Sequence, residues 1–279
     1  AYQKTGIDLL RLSLQGPEEE LNMTYNTQPA LLTLSSLIYQ LICQRVPFQP
    51  QVMVGHSLGE YSALVCAGSI HFVDAVYLVR RRGEIMQNSV PAETGTMVAI
   101  IGLNPQQTEL FVQDLSTVGK IEVANYNSSD QTVLSLRKSM VSMVLEEAKR
   151  RGAKKAVELR VSAPFHSSFM IEAAKQFQMV LSGINISPPQ VYYLSNVSAD
   201  YVNEPEKIRE LLNRQIVSPV RWKEIMERLY LDGYLKFVEI GPGNVLSKLM
   251  KREYDQVQTF HIDSVTTLNE WVEEVLKND

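Results

Sequence analysis

Val52-Met53-Val54-Gly55-His56-Ser57-Leu58-Gly59-Glu60-Tyr61-Ser62-Ala63-Leu64 is the stretch on which the reading of the whole chain turns. An apolar run enters Gly-His-Ser-Leu-Gly and continues into a good helix-forming segment, so a strand, a sharp turn and a helix meet at one serine. A serine on such a turn projects its hydroxyl into open space, and small neighbours let the backbone bend without a Cβ clash. Gly55 and Gly59 are read as supplying that room. G-x-S-x-G also occurs by chance in plain strand-turn-helix units; the apolar strand before it and the helix after it are what favour a nucleophile elbow.

The composition is that of an ordinary globular protein. The 279 residues are long enough for one large domain or two subdomains, with 45% hydrophobic and 21% charged residues and a formal net charge of -4. That balance carries no footprint of nucleic acid. The two cysteines, Cys43 and Cys66, sit in apolar helical patterns and read as small core residues, which argues against a disulfide framework or a cysteine metal site. No run of about 18 apolar residues suggests a membrane span, and Ala1-Tyr2-Gln3-Lys4 has neither signal- nor transit-peptide character, so a reducing cytoplasm is expected.

Upstream of the elbow, Leu31, Leu34, Ile38 and Leu41 recur at helical spacing in a core-facing helix from Ala30 to Val46, with Pro29 in its first turn. The spacing predicts a strand from Gln51 to Val54, a helix from Leu58 to Ala67 stopped by Gly68, and a helix from about Phe72 to Gln87. Helical geometry separates the three arginines of that last helix. Arg82 falls in line with Ala75, Leu78 and Ile85, whereas Arg80 and Arg81 both reach Glu84. An arginine on an apolar stripe either runs its stem out to water or finds a partner or a cavity, because an unpaired buried guanidinium costs several kcal/mol.

From Met97 the texture changes. Strands are predicted over Met97–Leu103, Ile121–Ala124, Thr132–Leu136 and Lys155–Val161, with helices from Asn104-Pro105 to Leu115 and from Ser139 to Gly152. This is β-α-β-β-α-β, the ferredoxin-like order. Residues 93–161 are therefore expected to form an inserted small subdomain, and 1–92 with 162–279 a large α/β catalytic subdomain. That larger part resembles an α/β-hydrolase, with a mainly parallel sheet. It is completed by a helix ending near Ser182, a strand over Val191–Ser195, helices Glu204–Gln215 and Trp222–Leu231, and a strand Lys236–Ile240. Beyond Gly241-Pro242-Gly243 come an Asn244-capped helix to Arg252, a strand Thr259–Ile262 and a helix Leu268–Lys277.

Four histidines could activate Ser57. His56 should point away from its neighbour across the turn, His71 follows a helix end, and His261 lies in a strand pattern that reads as structural. His166, in an irregular segment between a strand and a helix, is the candidate base. No acid announces itself as a third member of a triad, and several could serve; the Ser–Asp–His order of esterases and lipases would need one between positions 57 and 166, where the inserted subdomain makes that topology a poor fit. The backbone N–H of Leu58, first in the helix after the elbow, is placed to be one oxyanion donor.

Further motifs carry a resemblance. Gly55 to Gly68, Arg82-Gly83 with Met86-Gln87, Gly95-Thr96-Met97, Pro164-Phe165-His166-Ser167, Ser195-Asn196-Val197, Gln215, Ser218 to Trp222 and Glu239 to Gly243 are similar, in order, to the malonyl-CoA:acyl-carrier-protein transacylases of bacterial fatty acid synthesis. The resemblance implies a dyad of Ser57 as nucleophile and His166 as base, with the backbone carbonyl of Gln215 orienting the imidazole. It makes Arg82 the clamp for the malonyl carboxylate, puts Met86 beside it, and puts Asn125, Asn127 and Lys155 along the cleft or near the coenzyme's phosphates. Phe165 beside the histidine resembles malonyl-type rather than methylmalonyl-type pockets; the plainer reading is a loop aromatic packed on the core.

The implied reaction is ping-pong malonyl transfer from malonyl-CoA to the phosphopantetheine thiol of acyl carrier protein, with no resident cofactor, no metal, no nucleic-acid or membrane partner, and a monomer. Rival readings are a malonyl loader or an acyl hydrolase of a polyketide synthase, and a non-catalytic module that binds carrier proteins. The family pattern also includes an apolar strand ending in a Gly-Gln-Gly-Ser-Gln type loop that donates a second oxyanion N–H; no such segment stands ahead of Ala1 in this sequence, and Gln15-Gly16-Pro17 is a different feature.

Overall fold

The computed structural model describes residues 2–91 and 94–278; the expected junction at 92 and 93 lies outside the described residues. Eight strands lie among them: β1 (Val52–Met53), β2 (Gly95–Ile101), β3 (Ile121–Ser128), β4 (Gln131–Arg137), β5 (Lys155–Glu158), β6 (Tyr192–Tyr193), β7 (Lys236–Ile240) and β8 (Gln258–Ile262). The fold is mixed α/β. β1 pairs in parallel with β6, and β7 with β8, while β3-β4-β2-β5 form one antiparallel sheet.

Outside the antiparallel sheet both strand pairs are parallel, and they form two separate two-stranded ladders. The strand expected over Val191–Ser195 stops at Tyr193 because its backbone turns to other partners. Leu194 bridges Tyr201, and the Ser195 N–H donates to Asp200 O at 3.1 Å.

In the antiparallel sheet the register runs from Gly95 opposite Arg137 to Ile101 opposite Gln131. Its helices, Pro105–Ser116 and Val141–Arg150, cover one face through Phe111, Leu115, Val144 and Ala148 against Val98, Ile100, Leu134 and Leu136. Asn104 starts the first of them in a reciprocal capping box with Gln107, as the Asn-Pro start leads one to expect.

Around the elbow the core gathers helices Leu58–Cys66, Phe72–Asn88, Ile171–Ser182 and Pro205–Gln215. The helix ahead of the elbow starts earlier than expected, at Thr24, and runs to Arg45, which puts Pro29 in its interior. Proline has no N–H to offer the Tyr25 carbonyl one turn back. Arg80 Nη1 takes that role instead, donating to Tyr25 O at 3.0 Å from the neighbouring helix. The two helices touch where a Cβ on Gly83 would come 2.5 Å from Tyr25 Cα, so only glycine permits the approach.

The buried face of the Thr24–Arg45 helix is Leu32, Ser36, Ile38 and Ile42. Leu34 and Leu41 are exposed, against expectation, and so is Cys43, while Cys66 is half-buried. With Gln28, Leu32 and Ser36 turned inward, Leu34 and Leu41 lie on the opposite face of the helix, and of the expected stripe Ile38 is buried. Asn244 precedes the helix Val245–Glu253 without a side-chain cap bond; the Glu239 carboxylate, a stronger acceptor, takes the Leu246 and Ser247 N–H groups at 3.1 and 2.7 Å. Among the described residues no helix is long and apolar enough to cross a membrane.

Candidate active site

The elbow is a real one. Ser57 has φ 52° and ψ -104°, a conformation costly for a residue with a Cβ, on the order of 1–3 kcal/mol. A Cβ on Gly55 would lie 2.1 Å from the Gly59 carbonyl, so the turn demands glycine there; a Cβ on Gly59 would meet nothing within 4 Å. Only the first of the two glycines is therefore needed for room. The strained turn is bracketed by buried Asn196, whose Oδ1 accepts from Ser57 N at 2.7 Å and whose Nδ2 donates to Gly55 O at 2.8 Å. Leu58 opens the helix, so its N–H stands outside the intrahelical ladder, beside the serine.

His166 reaches the serine from the loop after β5. Its Nε2 is 2.8 Å from Ser57 Oγ, and its Nδ1 is 2.8 Å from the backbone carbonyl of Gln215. A carbonyl oxygen can only accept, so Nδ1 carries the proton and Nε2 offers its lone pair to the serine hydroxyl. Burial and then the Arg82 charge pull the imidazole down to about 3, against the pull of the Gln215 carbonyl, so His166 is a neutral base at physiological pH.

Arg82 is 2% exposed and buried at the same serine. Nη2 donates to Ser57 Oγ at 3.2 Å and to Gln215 Oε1 at 2.8 Å, Nη1 donates to Gln28 Oε1 at 2.8 Å, and the guanidinium carbon lies 5.2 Å from the Tyr61 ring centre. Its Nε has no partner among the described residues. Burial lowers its pKa from the ordinary arginine value. Arg80 and Arg81 both bind Glu84 on another face, as the periodicity requires.

These three side chains were legible in the sequence; Gln28 and Asn196 were not seen as their supports. Gln28 sits in a helix 54 residues before Arg82 and Asn196 lies 139 residues after Ser57, so only the fold reveals them.

Compared with known proteins, residues 2–275 match the family model for the acyl transferase domain. The chain belongs to the acyl transferase domain family. It is 43% identical to the malonyl CoA-acyl carrier protein transacylase of Haemophilus influenzae over 99% of this chain and 88% of that protein, and 42% identical to that of Bacillus subtilis over 93% and 82%. The structure of the malonyl CoA-acyl carrier protein transacylase of Coxiella burnetii superposes with a TM-score of 0.95 at 39% identity, over 98% of this chain and 86% of that one. A malonyl-transacylase in complex with its type II polyketide synthase acyl-carrier protein superposes equally well, with a TM-score of 0.95 at 40% identity over 98% and 88%.

The remaining candidates in this acyl transferase domain divide. His56 turns away from Ser57: its Nε2 is 2.9 Å from Asn127 Oδ1 and its ring lies 5.7 Å from that of Trp222. Asn127 thus reaches the elbow through His56, and buried Asn125, on the same strand β3, forms an isolated backbone bridge with Val220. Phe165 packs between the main core and the inner face of the antiparallel sheet, and its carbonyl accepts from Ser135 Oγ at 2.5 Å. Met86, one turn beyond Arg82, is buried in the main core.

Lys155 is not brought to this group. It is exposed on β5, the edge of the sheet opposite β3, three strand spacings or about 14 Å across. His71 immediately precedes the helix Phe72–Asn88 and is exposed, and His261 pairs with Glu239 in the β7–β8 ladder. Among the described residues no group of three or more His, Cys, Asp or Glu side chains is placed to hold a metal ion.

Proposed function

We propose that the chain transfers malonyl from malonyl-CoA to the phosphopantetheine thiol of acyl carrier protein, through an ester on Ser57, in fatty acid synthesis. The observation that carries this reading is Arg82: a buried guanidinium, held by amide oxygens instead of a carboxylate, 3.2 Å from the nucleophile. A substrate whose acyl group ends in a carboxylate complements that charge, because a planar fork can grip a carboxylate with two parallel bonds.

In the first half-reaction Ser57 Oγ attacks the thioester carbonyl while His166 Nε2 takes its proton. The Gln215 carbonyl stabilises the imidazolium, and the Leu58 N–H faces the developing oxyanion. Coenzyme A leaves as a thiol with the proton from His166. The carrier's thiol then gives its proton to His166 and attacks the malonyl-serine ester, regenerating Ser57. Arg82 holds the acyl group's far end through both steps.

The same reading covers the finer assignments. Residues 93–161 are a ferredoxin-like insertion in a hydrolase-like catalytic subdomain formed by 1–92 and 162–279; the strand order β3-β4-β2-β5 supports it. Phe165 closes the pocket against an α-branch, Met86 backs Arg82, Asn125 and Asn127 line the cleft, and Lys155 is the remotest candidate, for the coenzyme's phosphates. One chain holds nucleophile, base and clamp, so the reading needs neither a second subunit nor a cofactor, and coenzyme A thioesters set it in the cytoplasm.

A polyketide carrier as acceptor is a second reading, favoured by the complexed malonyl-transacylase among the similar structures. Incubation with malonyl-CoA and intact-mass measurement should give a malonyl adduct that Ser57→Ala lacks and that holo carrier protein discharges. Adduct on the alanine variant, or none on the native chain, refutes the reading; the carrier that discharges it faster decides between pathways.

A further inference from the structure

Glu60 lies in the first turn of the helix that follows the elbow, is 0% exposed, and takes no part in the chemistry described above. Three donors converge on it. The Tyr193 hydroxyl and the Asn196 backbone N–H, the latter at 3.3 Å, donate to Oε1, and the side-chain amide of Gln215 donates to Oε2. Burying a carboxylate is costly, and a glutamine of the same shape would avoid the charge. The difference between the two is that a carboxylate only accepts.

That difference fixes the Gln215 amide. With its NH2 committed to Glu60 and to Ser57 O at 3.0 Å, its oxygen must face the other way, where it accepts from Arg82 Nη2 at 2.8 Å. A flipped amide would set its oxygen against the Glu60 carboxylate and the Ser57 carbonyl, and its NH2 against the guanidinium. We propose that Glu60 is a positioning residue: its carboxylate sets the orientation of the Gln215 side chain, and through it the presentation of Arg82 to the carboxylate of the acyl substrate. The proposal rests on the malonyl-transfer reading for the substrate's carboxylate. Burial pushes the Glu60 carboxyl up to about 7; above that pH the arrangement is a charge, an aligned amide dipole and an opposite charge in series, so Arg82 is steadied without being occupied by a carboxylate of the protein.

Glu60→Gln tests it at constant shape. The Asn196 N–H can only donate, so the new amide's oxygen takes the place of Oε1 and its NH2 faces the NH2 of Gln215. Gln215 then either flips to accept, bringing its own NH2 against Arg82, or keeps Ser57 O and is pushed off by the facing NH2; in both cases Arg82 loses its placement. The Gln215 backbone carbonyl, which holds His166, is untouched by the flip.

Acylation of Ser57 by malonyl-CoA and by acetyl-CoA is measured on native and variant chains at pH 8. The expected result is a rise in KM and a fall in kcat/KM for malonyl of about 10- to 100-fold, the scale set by a misplaced binding group. Acetyl transfer, which does not use the grip, is expected to stay within about threefold of native. Equal losses for both acyl groups, or no loss for malonyl, overturn the proposal. As a second arm, Gln215→Leu removes the relay itself, and Glu60→Gln is expected to add nothing further to its malonyl defect; multiplicative losses in the double variant overturn it even where Glu60→Gln alone unfolds. A native chain that malonyl-CoA does not acylate refutes the malonyl reading itself, a result read before any variant is compared.

Discussion

Removing the Arg82 guanidinium should cost malonyl transfer far more than acetyl transfer, and the structure allows the size to be worked. In Arg82→Ala the substrate carboxylate loses a charged, hydrogen-bonded partner inside the protein, a loss of about 2–5 kcal/mol. At 1.36 kcal/mol per tenfold, that is about a 30- to 5,000-fold fall in kcat/KM for acylation by malonyl-CoA. Two further effects follow from the same deletion. The Gln28 and Gln215 amide oxygens lose their donor, costing stability on the order of 1–3 kcal/mol for each that stays dry. His166 loses one of the three influences that hold its pKa down. The first acts on malonyl and acetyl transfer alike and the second strengthens the base for acetyl, so the ratio of the two rates reads the grip and the tuning of His166 together and is free of the stability loss. Quenched-flow measurement of Ser57 acylation with each thioester, well below the variant's melting temperature, gives that ratio. Arg82→Lys, which keeps a charge but loses the fork, should fall between native and alanine. An unchanged malonyl-to-acetyl ratio in Arg82→Ala would refute the clamp and with it the choice of substrate.

With the His166 imidazole held down to about 3, the base keeps its lone pair as pH falls, so acylation by acetyl-CoA should stay flat from about pH 7 to about pH 5; an acid limb centred on the ordinary histidine value of about 6.5 would contradict the burial argument. The sign for stability is the reverse of a benefit at low pH. A folded-state pKa below the unfolded one means stability is complete above about 6.5 and is lost as pH falls towards 3, so His166→Asn should flatten the pH dependence of the melting temperature over that window. Gly55→Ala puts a Cβ 2.1 Å from the Gly59 backbone and should abolish labelling of Ser57 and lower the melting temperature, whereas Gly59→Ala has open space and should melt at or above native, alanine being the better helix former by roughly 1 kcal/mol. A Gly55→Ala chain that melts and acylates like native would show that the elbow is not as tight as the geometry says.

What the sequence made legible is what a local pattern can carry. The elbow, the phase that turns Arg82 inward while Arg80 and Arg81 meet Glu84, and the alternation that builds the antiparallel sheet are all written in neighbours a few residues apart. Where local rules failed, a distant group had intervened. Pro29 sits inside a helix because Arg80 serves the carbonyl it orphans. Asn244 lost its capping role to Glu239, which approaches from the preceding strand. Leu34 and Leu41 were assigned inward by spacing, yet the face carrying Gln28, Leu32 and Ser36 won the core. Asn196, Gln28 and Glu60 could not be given roles from sequence, because each acts through atoms 54 to 155 residues away.

The choice of partners around Arg82 also bears on how the base is used. A direct carboxylate would have satisfied the guanidinium and neutralised it; amide oxygens satisfy its hydrogen bonds and leave its charge in place. That standing charge is one cause of the depressed His166 pKa. A malonyl carboxylate bound at Arg82 cancels it, so the imidazole becomes more basic when the substrate whose attack it must assist is in position. An acetyl group brings no charge and leaves the base weak. On the malonyl-transfer reading, discrimination between the two acyl groups would then come from one residue acting twice, once by gripping the carboxylate and once by tuning the base 2.8 Å from the serine that both share.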